Sequence, residues 1–166
     1  MAISVCVWVA SATPILAADG TTTYDFPVLF LDVHGGAPQR LSGGATVLFG
    51  KSGRTVETKR AVEIQASAGM GGARVAGGAA FLNGPFGPDV LLTLTRTSAS
   101  PRDAAPHATY AGLEAGYLWL FLKVSVGVAH RVAGPSGHHD TVFTWKAGAE
   151  VPLCAFTQRC SRGPRP

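Results

Sequence analysis

LWLFLKVSVGVAHRV, residues 118–132, is the stretch on which the fold turns. Leu118, Leu120, Leu122, Val124, Val126, Val128 and Val132 share one parity, while Trp119, Phe121, Lys123, Ser125, Gly127, Ala129 and Arg131 share the other. Side chains along a strand point alternately to opposite faces. Read as one strand, the stretch has a continuously apolar face and a second face of aromatic, small and charged residues. A run this long with that division suggests a wall between lipid and a polar interior.

The same alternation recurs along the chain between clusters of glycine, proline and small polar residues, and eight segments emerge. The first, Val28 to Gly35, sets Leu29, Leu31 and Val33 against Asp32 and His34. The second runs from about Gly43 to Gly50, with Ala45, Val47 and Phe49 outward. In the third, Val62, Ile64, Ala66, Ala68 and Met70 oppose Glu63, Gln65, Ser67 and Gly69. After Gly71 and Gly72 the parity flips, as a tight hairpin requires. The fourth then sets Ala73, Val75, Gly77, Ala79 and Phe81 against Arg74, Ala76, Gly78 and Ala80. Residues 83–88, NGPFGP, form a turn before the fifth, Val90 to about Thr97. The connection 98–108 is mobile by composition. The sixth segment, Thr109 to Tyr117, turns Glu114 away from Leu113 and Tyr117, and a hairpin at Tyr117 and Leu118 leads into the opening stretch as the seventh. The eighth starts near Thr141, with Phe143, Trp145 and Ala147 opposite Thr144, Lys146 and Glu150, and Pro152 ends regular pairing.

Composition narrows the classes. Only 14% of residues are charged, yet mean hydropathy is +0.22, and after residue 18 no run approaches the ~20 apolar residues of a membrane helix. The 21 glycines lack a three-residue period, which excludes collagen. The net charge of +4 is not gathered into a run or helical face, so nucleic acid is not an expected partner. Residues 1–18, MAISVCVWVASATPILAA, read as an export signal that lacks a basic start. Its removal takes Cys6 and leaves Cys154 and Cys160, which form either a disulfide or two free thiols. Residues 24–156 form one domain, and 157–166 a disordered basic tail.

The polar faces together carry Asp32, His34, Glu63, Gln65, Arg74, Glu114, Lys123, Arg131, Lys146 and Glu150, four carboxylates against four strong bases. A closely hydrogen-bonded lumen can hold such a set, whereas unpaired charges in an apolar core cost several kcal/mol each. With glycine-rich walls and aromatics near segment ends (Tyr117, Trp119, Phe143, Trp145), the pattern over roughly Phe26 to Phe156 resembles the small eight-stranded bacterial outer-membrane β-barrel proteins. The resemblance implies an all-β, eight-stranded antiparallel up-and-down transmembrane β-barrel in the bacterial outer membrane, monomeric, with the lipid bilayer as its surroundings. An N-terminus in the periplasm puts connections 35–42, 71–72, 98–108 and 133–140 outside, and 98–108 and 133–140 are the candidate contacts for envelope or surface partners.

The structural rival is a soluble exported barrel with the faces inverted, binding a small apolar ligand. Gly69, Gly78, Gly112, Gly116, Gly127 and Gly148 on the would-be solvent face weigh against it. Eight strands enclose only enough space for side chains, so a passive channel is not expected.

Candidate chemistry is thin. Residues 43–52, GGATVLFGKS, approach a phosphate loop, but Ala45 stands at the required glycine. His138, His139 and Asp140 have no recognisable metal spacing, and neither a metal centre nor a cofactor is expected. Lipid modification at the rim is an alternative activity for a small barrel. Ser125 and Glu114 share the inner parity but His130 has the other, so no catalytic triad assembles and no catalytic residue is assigned.

Overall fold

The computed structural model describes residues 27–50, 59–83, 86–135 and 140–153. Eight strands run in chain order: β1 Val28–Ala37, β2 Leu41–Gly50, β3 Lys59–Met70, β4 Gly72–Leu82, β5 Phe86–Thr97, β6 Thr109–Trp119, β7 Leu122–Ala133 and β8 Thr141–Pro152. Each pairs antiparallel with its neighbour, and β1 pairs with β8 to close the barrel. Closure leaves no free edge, so every strand has a ladder on both sides. The connections 38–40, 71 and 98–108 and residues 134, 135 and 140 lie at one end, called upper here, and residues 27, 120–121 and 153 lie at the lower end.

The opening stretch is not one strand. Leu118 and Trp119 finish β6, Leu120 and Phe121 turn the chain, and β7 starts at Leu122, with Trp119 paired to Leu122. The hairpin therefore lies three residues beyond the Tyr117–Leu118 position expected from parity. Trp119 faces outward with Tyr117, whereas Leu118 is buried inside. Leu120 holds φ at +58°, the left-handed conformation that lets a two-residue loop follow strand twist.

Two other boundaries move. β5 begins at Phe86 rather than Val90, so Pro88 lies within its first turns and pairs with Tyr117. β1 and β2 extend towards each other, which shortens the 35–42 connection to three residues. The near phosphate loop at 43–50 is part of β2, extended and laddered on both sides, with no anion-cradling turn. Connection 51–58 and the candidate ligands His138 and His139 lie outside the described residues, as do the export signal, both C-terminal cysteines and the basic tail.

Connection 98–108 is folded, not loose. Thr97 Oγ1 donates to the Ala105 carbonyl at 2.7 Å, the Ala105 amide donates to the Tyr110 hydroxyl at 2.9 Å, and the Arg102 amide donates to the Pro38 carbonyl at 2.9 Å. The Arg102 guanidinium lies 5.6 Å from the ring centre of Trp145 on β8. The segment thus crosses from β5 and β6 to β1 and β8 over the upper end, burying its own Ala105 and Ala108.

Candidate functional site

The lumen is stacked in three layers. At the lower end Val28, Phe30, Leu48, Ala61, Ala80, Leu82 and Leu118 form an apolar plug. At the upper end Ala105, Ala108, Tyr110, Ala129 and Val142 form a second. Between them lie the inward charges of β1 and β3–β8, each brought to the interior by the strand alternation.

Lys123 is the hub of this middle layer. Its ammonium donates to Glu63 Oε1 at 2.5 Å and also lies 3.0 Å from Asp89 Oδ2 and 3.5 Å from Glu150 Oε1. Gln65 links this hub to the rest of the layer. Its amide nitrogen donates to Glu63 at 2.5 Å and Glu150 at 3.3 Å, while its oxygen accepts from Arg74 at 2.8 Å and Lys146 at 3.2 Å. Arg74 closes on Glu114 at 2.7 Å, with Lys146 3.8 Å from the same carboxylate oxygen. On the far side His34 Nδ1 stands 3.2 Å from Asp32 and Nε2 stands 3.6 Å from Glu150. One connected set therefore joins residues as far apart in sequence as His34 and Glu150.

Asp32, His34, Glu63, Arg74, Glu114, Lys123, Lys146 and Glu150 all lie in this buried layer. Arg131 does not. It has the inner parity but sits at the upper rim, where it pairs with the exposed Asp140 and the Pro135 carbonyl. Asp89, absent from the sequence-derived set, is buried beside Lys123. Its parity matches Leu91, but Pro88 directly before it looked like turn. Gly116 makes its room: a Cβ there would lie 2.7 Å from Asp89 Oδ1. With Arg131 out and Asp89 in, the four-to-four balance becomes five carboxylates against three strong bases among the described buried residues.

The outer face has the opposite character. Leu31, Val33, Val62, Ile64, Val75, Leu92, Leu113, Val124, Val126 and Val128 are exposed around the wall, and Phe49, Phe81, Tyr117 and Trp119 ring its lower margin. Arg60 below and Arg96 above are exposed at its borders. The outward apolar run of β3, Val62 to Met70, covers about 27 Å along the strand and about 20 Å of barrel height at ordinary tilt.

No family model matches this chain, and no curated protein or solved structure does either. The chemistry must therefore be read from the geometry. An inverted soluble barrel would need its apolar faces around a ligand chamber, yet those faces point outward and charged chains fill the interior. A small cavity where the lower plug meets the charged layer is lined by Leu48, Leu82, Leu118, Asp89 and Lys123. Hydrolysis finds no assembled site at Ser125: its hydroxyl is buried 3.5 Å from Glu114, whereas His130 is exposed on the outer face and contacts Thr141 at 3.1 Å. Ser125 and His130 lie on opposite sides of the wall.

Proposed function

We propose that this chain is a β-barrel of the bacterial outer membrane with a closed polar core, a structural or surface-interaction protein rather than a pore or an enzyme. The observation that carries the proposal is the outer wall: large apolar side chains exposed on all eight strands, enclosing a buried charge layer. In water such a surface far exceeds the few hundred Å² of contiguous apolar patch that soluble monomers tolerate. In a bilayer it is the expected arrangement, with a height near the ~25 Å apolar band of such barrels and aromatics at its margin. Closure also satisfies every strand's backbone groups internally, which lipid demands.

In this reading residues 1–18 direct export and the monomeric barrel anchors its upper connections towards envelope or external partners. Segment 98–108 presents Arg102, Asp103, Pro106 and His107 to solvent from a tethered backbone, and Asp140 is exposed at the same end, paired with Arg131 near the end of β7. Plugs at both ends argue against passage of solutes, and the described residues form no basic groove for nucleic acid. The test is cell fractionation together with gel migration before and after boiling. Recovery in the outer-membrane fraction and faster migration of the unboiled protein are expected; recovery as a soluble protein after signal removal would overturn the proposal.

A further inference from the structure

Asp32 on β1 and Glu150 on β8 are direct cross-strand partners, and both point into the sealed lumen. Two like charges directly opposite on one face repel. His34, two residues along the same face, completes a group in which one donor atom from each side chain lies within 4.8 Å of the others. All three residues are at least nine-tenths buried. Asp32 Oδ1 and His34 Nε2 make no hydrogen bond, Oδ1 lying 3.2 Å from His34 Nδ1 and Nε2 lying 3.6 Å from Glu150 Oε1.

The surroundings hold this group in place. Thr46 Oγ1 donates to the other Asp32 oxygen at 3.4 Å, and Gln65 and Lys123 reach Glu150 Oε1, the oxygen that faces His34 Nε2, at 3.3 Å and 3.5 Å. Gly148 pairs with His34, and a Cβ at that position would lie 2.6 Å from the imidazole Cδ2. The absence of that Cβ makes the space in which the ring lies.

We propose that Asp32, His34 and Glu150 bind one divalent transition-metal ion of the zinc class. One imidazole and two carboxylates are a donor set that such ions accept, and ligand bonds of about 2.0–2.2 Å require these donors to close in by about 1 Å. The charge count favours a divalent ion. The buried layer has two more carboxylates than strong bases, and one dication with a neutral imidazole brings it to neutrality. The inference rests on the lumen and not on what surrounds the barrel, so recovery of the protein in water rather than membrane leaves its test unchanged.

The full chain, unfolded in denaturant with chelator and refolded in the presence of Zn²⁺ and 100-fold excess Mg²⁺, is washed and its metal content measured per chain. About one zinc per wild-type chain is expected, and less than one-tenth in His34→Gln, with folding of each sample read from its circular dichroism. Asp32→Asn serves as the second variant if His34→Gln does not fold. Co²⁺ in place of Zn²⁺ should give visible absorption bands in wild type that the variant lacks. Folded wild type that retains less than one-tenth of a zinc, or a folded variant that retains the wild-type amount, overturns the proposal.

Discussion

Replacing Lys123 by methionine removes the one cation that three buried carboxylates share. Its ammonium lies 2.5 Å from Glu63, 3.0 Å from Asp89 and 3.5 Å from Glu150. At an effective dielectric of about 20, each such contact is worth roughly 5–7 kcal/mol of attraction before desolvation is charged against it. Burying the ammonium and its partners returns most of that, and breaking a buried pair leaves a net loss of about 3–5 kcal/mol. Lys123→Met takes the upper half of this range because three carboxylates are orphaned together. With a urea slope of about 2 kcal/mol per molar, the unfolding midpoint of the refolded barrel falls by about 2 M. Lys146→Met is the internal comparison. Lys146 reaches Gln65 at 3.2 Å and Glu114 only at 3.8 Å, and Arg74 already holds Glu114, so its loss is expected to be less than half as large. Adding Glu63→Gln to Lys123→Met removes one orphaned charge and should recover about 1–2 kcal/mol, a coupling that distant sites do not show. A fully folded Lys123→Met protein with a midpoint within about 0.5 M of wild type would refute the hub.

Leu92 is 69% exposed at the middle of β5; Leu92→Arg should cost about 2–4 kcal/mol in a bilayer but stay within about 0.5 kcal/mol in water, which urea titration in lipid vesicles reads directly. Leu120→Gly relieves the φ of +58° and should raise stability by about 0.5–1 kcal/mol after the entropy of the unfolded glycine is counted; a lower midpoint would show that the turn is not strained. Tyr110→Phe removes the acceptor of the Ala105 amide, at a cost of about 1–3 kcal/mol, and should speed trypsin cleavage after the exposed Arg102. An unchanged cleavage rate would mean that the upper segment is held by its other bonds.

Strand number, order and the inner or outer assignment of most residues were legible because alternation is a local property of the chain. Leu118 shows where it misleads. Its apolar side chain resembled one more outward residue, but the lumen's lower end is itself apolar, so hydrophobicity there does not distinguish inside from outside. The turn at Leu120 and Phe121 gave no help, having no glycine, asparagine or proline. Asp89 was lost for a related reason: Pro88 lacks an N–H, yet it is tolerated close to the start of a strand. Arg131 has the expected parity, but its height in the barrel depends on the stagger of the strands, which no single segment reveals. The contacts among Glu63, Gln65, Lys123 and Glu150 likewise depend on side chains crossing the lumen between strands distant in sequence.

The Asp32–Glu150 pairing makes the seam between first and last strands an electrical event as well as a mechanical one. Until β8 zips onto β1, Glu150 and Lys146 are missing from the layer, and a seven-stranded sheet would show ions to hydrocarbon along its open side. Each half-assembled form is thus penalised twice, by bare backbone and by bare charge. Insertion of such a sheet strand by strand is disfavoured, and the closing step becomes all-or-none. In the outer-membrane setting we propose, a late lesion in β8 should therefore remove the whole protein rather than leave a leaky remnant.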